Sequence, residues 1–94
     1  MRTIERSSAF KRDYKRVKAT PRHGKDVDAL LAGVLTLLLA DQSLPGRNRD
    51  HALRGEWADY RECHIKPDLL LVYSKSGTDI LRLARLGSHS ELFG

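Results

Sequence analysis

The sequence predicts an α+β domain: an N-terminal strand and a helical hairpin packed on a small antiparallel β-sheet, ending in a short C-terminal helical turn. Three observations predict it. Helical periodicity fills the first half of the chain, and apolar runs separated by turn residues fill the second. A chain of 94 residues is also the right size for one modest core.

Residues Arg2 to Arg6 read as a short first strand. Ser7 or Ser8 then caps a helix, because a hydroxyl at that position accepts an orphan backbone N–H. Phe10, Tyr14 and Val17 recur at helical spacing, and Lys11, Arg12, Lys15, Arg16 and Lys18 cover the remaining surface. Ala19-Thr20-Pro21 ends this helix, since proline disfavours helical backbone in the residue before it. A second helix runs from about Gly24 to Asp41, with Val27, Leu30, Leu31, Val34, Leu35 and Leu38 on one face. Asp26 and Asp28 lie in its first turn, where the helix dipole favours negative charge.

Gln42 to Asp50 is a polar loop punctuated by Pro45-Gly46. The strands of the second half follow. Trp57 to Ile65 is broken by Lys66-Pro67. Asp68 to Ser74 is so continuously apolar that a central strand, covered on both faces, is expected. Lys75 to Thr78 makes a hairpin turn, and Asp79 to Leu86 is the last strand. Gly87-Ser88 ends it, leaving His89 to Phe93 for a final helical turn.

Composition narrows the function classes. Cys63 is the one cysteine, so neither an intramolecular disulfide nor a Cys-rich metal site can form. The N-terminus lacks the apolar stretch of a signal peptide. The longest apolar run, Ala29 to Ala40, is twelve residues, short of the roughly 20 that span a bilayer as a helix. A single domain over residues 1–94, soluble and cytoplasmic, is expected. The net charge is +5, and its distribution is uneven. Residues 1–25 carry nine Lys/Arg against two acids, whereas residues 26–94 carry eight against ten. A basic N-terminal patch suits a polyanion such as RNA, or an acidic protein; the plain alternative is a solvated helix face.

The chemistry-bearing residues are His51, His64, Asp68, Arg85 and His89. In a meander, the end of one strand and the start of the next share a sheet edge. The topology therefore gathers His64, Asp68, Arg85 and His89. Imidazoles with pKa near about 6.5 both accept and give protons at neutral pH. An arginine holds a phosphate through two parallel hydrogen bonds. Such a set suits RNA cleavage without a metal: the 2′-OH is deprotonated and attacks the adjacent phosphate, while an acid protonates the leaving 5′-oxygen. Three other readings stand beside it. The histidines have no task; three His and Asp68 hold a metal; or Cys63 is a nucleophile. The last is disfavoured because Cys63 and His64, as strand neighbours, point to opposite faces. Trp57, Tyr60 and Tyr73 read as packing, and Phe93 as either a core edge or a base-stacking platform.

The pattern D-H-x-L-x-G-x-W-x-x-Y-R-x-x-H-x-x-P-D, here DHALRGEWADYRECHIKPD, is followed by LARLGSHSELFG. Together they resemble the YafQ-type toxins of the RelE toxin superfamily. The resemblance covers about the last half of the chain. It implies a RelE-like fold and a ribosome-dependent endoribonuclease that cuts translated mRNA without a cofactor. It further implies neutralisation by an adjacent-encoded antitoxin, commonly of the DinJ type, in a hetero-oligomer. By motif, the family's functional positions fall on His51, His64, Asp68, Arg85, His89 and Phe93. Within the set, Asp68 or His64 takes the 2′-OH proton, His89 is the chosen acid, Arg85 holds the phosphate, and His51 supports the substrate or shares the acid–base work. Lys11, Arg12, Lys15 and Arg16 are assigned to ribosomal RNA. Relatives can carry Trp where this chain has Leu69, which puts a base contact in question. The alternative within the fold is a ParE-like toxin that inhibits DNA gyrase without being a nuclease. A non-toxic module that pairs with a partner helix is a third reading.

Overall fold

The computed structural model describes residues 2–94. Strand β1 (Thr3–Arg6) leads into helix α1 (Ser8–Ala19) and helix α2 (Val27–Leu39). Strands β2 (His51–Ala52), β3 (Arg61–Lys66), β4 (Leu69–Ser76) and β5 (Ile80–Gly87) follow, then helix α3 (His89–Phe93). The sheet has the order β1-β5-β4-β3-β2. Strands β2 to β5 are antiparallel, as expected, whereas β1 joins the edge parallel to β5.

Local chemistry sets the element boundaries. Ser7 is the α1 cap: its hydroxyl accepts the Phe10 N–H at 2.9 Å and donates to the Ala84 carbonyl at 2.8 Å. One side chain thus starts the helix and pins it to β5. The second helix begins at Val27, not Gly24. Residues 21–26 form turns instead, with the Gly24 N–H bonded to the Thr20 carbonyl. A Cβ at Gly24 would sit 2.2 Å from the Lys18 carbonyl oxygen, so only glycine permits this approach. Helix α2 stops at Leu39, short of the expected Asp41, which takes a left-handed φ of 55°.

The first meander strand is also shorter than the sequence suggests. Gly55–Trp57 is a 3-10 turn, and β3 starts only at Arg61. His51, expected in a loop, opens β2 and pairs with Glu62. Strand β4 is the buried central strand anticipated from its composition: Leu69 to Tyr73 are all buried.

Helices α1 and α2 cover one face of the sheet. The core there joins Phe10 and Val17 of α1, Val27, Leu31, Val34 and Leu38 of α2, and Cys63, Ile65, Leu69, Leu71, Tyr73, Leu81, Leu83 and Leu86 of the sheet. Leu69 belongs to this core and is fully buried. Its side chain faces the core, so Leu69 itself offers no surface to a base. Cys63 is likewise fully buried, and burial pushes its thiol up to about 12. A thiol held protonated in the core is scaffold, not nucleophile.

The β4–β5 ladder slips between Val72 and Tyr73. Val72 pairs with Arg85 and Tyr73 with Leu83, so Ala84 is left between them. Bulges of this kind re-aim the side chains beside them. The Ala84 carbonyl in the bulge is the one that the Ser7 hydroxyl occupies.

Candidate active site

On β3, Cys63 and Ile65 point into the helix-covered core, so Glu62 and His64 point to the opposite face. The start of β4 and the end of β5 lie side by side there, with Leu70 paired to Gly87. An open cleft of about 530 Å³ forms on this face, lined by Glu62, His64, Pro67, Asp68, Leu70 and residues 88–90, His89 among them. A second hollow adjoins it through Glu62 and His89 and adds His51, Leu53, Arg54, Trp57 and Phe93. The fold thus gathers His51, His64, Asp68 and His89 along one groove. Arg85 does not line either hollow.

Each group is oriented by a neighbour. The His64 Nδ1–H donates to the Pro67 carbonyl at 3.1 Å, which in the neutral ring makes Nε2 the accepting nitrogen. The Lys66-Pro67 break is what brings that carbonyl back to its own strand. His51 repeats the device: Nδ1–H donates to the Arg49 carbonyl at 2.7 Å, and Nε2 lies 3.5 Å from a Glu62 carboxylate oxygen. Asp68 is paired with Arg22, and His23 Nε2 lies 3.8 Å from the same oxygen. Tyr73 and Arg61 both donate to Asp50, beside His51, with the phenol bond at 2.6 Å. Burial, and then Asp50, raise the Tyr73 phenol above its ordinary value, so it stays a donor.

His89 is the first residue of α3. The capping box holds that turn: Ser88 accepts the Glu91 N–H, and the Glu91 carboxylate accepts the Ser88 N–H at 2.8 Å. That backbone N–H is the main reason the Glu91 carboxyl sits below its ordinary value. His89 itself is exposed and packs at a tilt against Phe93, with ring centres 5.4 Å apart. Phe93 also meets Trp57 edge-on at 6.1 Å, and Trp57 meets Tyr60 at 5.2 Å. Phe93 and Trp57 are therefore a wall of the groove, and Trp57 is more than the scaffold its composition suggested.

Arg85 reaches the same sheet end, but its side chain is held by Asp13 of α1. Its Nε donates to Asp13 at 2.6 Å and Nη2 at 3.2 Å. Arg16, assigned above to ribosomal RNA, is held there too. It donates to Asp13 at 2.8 Å and to the Leu86 carbonyl at 3.0 Å, and lies 3.2 Å from Glu91. Lys11, Arg12 and Lys15 remain exposed on α1.

Sequence reasoning missed Asp13, Glu62 and His23. Asp13 sits three residues after Phe10 and four before Val17, on the apolar stripe; an acid at that position of a basic helix was the available signal. Glu62 is two residues before His64, hence on the same strand face. Nothing in the sequence marks His23, whose buried Nδ1 has no hydrogen-bond partner among the described residues.

Burial raises the Asp13 carboxyl, but Arg85, the Leu86 N–H and Arg16 outweigh it, and the group stays below its ordinary value of 3.8. A carboxyl that is more acidic folded than unfolded stabilises the fold above the unfolded pKa. That stabilisation is lost as the pH falls through the folded value. Asp13→Asn is expected to lower stability at pH 7 by roughly 1–3 kcal/mol. It should also flatten the acid limb below about pH 4, read by urea unfolding across pH. An acid limb identical to the parent's would contradict the assignment.

The helical pair on one face of a five-stranded sheet matches the fold of RelE-like bacterial toxins such as YafQ. The chain belongs to the YafQ family of bacterial toxins of type II toxin-antitoxin systems, whose family model matches residues 2–94. It is 37% identical to the mRNA interferase toxin YafQ of Escherichia coli K12 over 93 residues, covering 99% of this chain and 97% of that protein. The E. coli DinJ-YafQ complex contains a chain 38% identical to this one, with complete coverage of both and a TM-score of 0.84. A metal-bound toxin from Helicobacter pylori is 48% identical, covering 99% of this chain and 100% of its own, again with a TM-score of 0.84. None of these relatives supports the gyrase-inhibitor alternative. Among the described residues, no three His, Cys, Asp or Glu side chains gather closely enough to hold a metal ion, and no helix is long and apolar enough to cross a membrane.

Proposed function

We propose that the protein is a cytoplasmic mRNA interferase: a ribosome-dependent endoribonuclease that cuts translated mRNA by acid–base catalysis and is neutralised by a DinJ-like antitoxin. The observation that carries this reading is the groove itself. It holds an imidazole with one accepting nitrogen, a carboxylate and a second imidazole across from it.

His64 takes the 2′-OH proton on Nε2, with Asp68 beside it. The 2′-oxygen attacks the adjacent phosphorus, and the P–O5′ bond breaks. His89 gives a proton to the departing 5′-oxygen. The products are a 2′,3′-cyclic phosphate and a 5′-hydroxyl. Arg85 binds the phosphate as charge grows on it. His51, held next to Glu62, supports the substrate, and Phe93 with Trp57 offers a stacking surface.

Induction without antitoxin is expected to arrest growth and cut mRNA, and co-expression of a DinJ-like antitoxin is expected to restore growth. Normal growth on induction alone would contradict the toxin reading and favour a binding module. Lys11, Arg12 and Lys15 are the ribosome-facing cations in this account. Reversing all three should weaken ribosome binding and reduce its salt dependence by a slope of roughly three. Unchanged binding would leave α1 a solvated face.

A further inference from the structure

We propose that Asp13 is a positioning residue for the RNA phosphate: it clamps Arg85 side-on, so the guanidinium meets substrate only through its outer edge. This rests on the ribonuclease reading above. A guanidinium has five N–H donors and can form paired bonds along either of two edges. One edge is Nε with Nη2. The other is the two terminal nitrogens. Asp13 fills the first, with Nε donating to Oδ2 at 2.6 Å and Nη2 to Oδ1 at 3.2 Å. Neither bond uses Nη1. One hydrogen of Nη1 and the outer hydrogen of Nη2 therefore form the one paired edge left for a phosphate.

The clamp is built into the fold. Asp13 is 3% exposed, and its carboxylate also accepts the Leu86 N–H at 3.0 Å. It therefore fixes the Arg85 side chain and the backbone next to it. Arg16 completes the link from Asp13 to the Leu86 carbonyl and to Glu91 in α3. Glu91 in turn caps the turn that begins with His89. The phosphate-binding cation and the general acid are thus referenced to one buried carboxylate. Two arginines share Asp13, and the Arg85 side chain keeps 28% exposure.

A merely structural Asp13 would affect the fold and leave Arg85 out of account, so a double-mutant cycle separates the two. Wild type, Asp13→Asn, Arg85→Lys and the double variant are compared in single-turnover cleavage on ribosomes carrying a defined mRNA. Thermal unfolding of each is measured alongside. Lysine keeps the charge but has no side-on edge to clamp. Asp13→Asn is expected to slow cleavage roughly 100-fold in the wild-type background, the effect of a misplacement near 1 Å. In the Arg85→Lys background it should add little, because the two residues act as a unit. An equal loss in both backgrounds, or a folded Asp13→Asn protein with wild-type rate, would overturn the proposal. If Asp13→Asn melts below the assay temperature, proton exchange at Arg85 Nε in the wild-type protein decides. Exchange much slower than at the exposed Arg49 and Arg54 supports the clamp, and equally fast exchange overturns it. A wild-type protein that cuts no mRNA in this assay instead overturns the ribonuclease reading.

Discussion

His89→Ala is expected to lower the mRNA cleavage rate by roughly 10²- to 10⁴-fold, the usual loss on removing a general acid, and to abolish growth arrest. The size follows from the role. An alkoxide is a poor leaving group, and His89 is the group placed to protonate it. The fold should survive, because His89 is exposed and the α3 cap is made by Ser88 and Glu91. What the variant loses structurally is the tilted ring contact with Phe93. His89→Gln, which keeps a polar side chain without acid–base capacity, should be nearly as impaired. Full toxicity of either variant would remove His89 from the mechanism and leave His51 as the remaining candidate for the acid.

Leu71→Ala is expected to cost roughly 2–5 kcal/mol, as large-to-small changes in a packed core do. Leu71 pairs with Cys63 on one side and Leu86 on the other, and all three are fully buried beneath the helices. The cavity would therefore open at the centre of the core, where β3, β4 and β5 cannot collapse without breaking their ladders. A small domain has only about 5–15 kcal/mol in total, so the midpoint of thermal unfolding should fall by tens of degrees. Leu30→Ala is the control. Leu30 is 39% exposed on α2, and its truncation should stay within about 0.5 kcal/mol. Similar losses for the two variants would mean that the core is placed wrongly.

The two halves of the chain were legible to different degrees. Ser7 as a cap, β4 as a buried central strand and α3 as a last turn follow from local chemistry alone. The gathering of His64, Asp68 and His89 follows from strand order, because β3 turns into β4 at the sheet edge where β5 ends. Arg85 shows where this reasoning stops. Leu83 and Leu86 are both buried, a spacing of three that breaks the two-residue alternation of a strand. The bulge at Ala84 absorbs the extra residue, and the partner that then holds Arg85 is 72 positions away in sequence. No strand-period argument reaches Asp13. The pairing of Arg16 with Asp13 and Glu91 was illegible for the same reason, since helical periodicity gives a face but not its partners. Leu69 follows the Pro-Asp motif, where relatives can carry Trp, and only the strand pleat shows that its side chain enters the core.

The most direct test of the account is the chemistry of the RNA ends that the purified protein leaves on mRNA in translating ribosomes. Attack by the 2′-oxygen, with His64 as base and His89 as acid, predicts a 5′-hydroxyl on one fragment and a 2′,3′-cyclic phosphate, or its opened 3′-phosphate, on the other. A 2′-O-methyl group at the cleaved nucleotide should then block the cut. A 5′-phosphate with a 3′-hydroxyl, or cleavage that persists at the methylated position, would mean that water is the nucleophile, and would contradict the acid–base mechanism assigned to this groove.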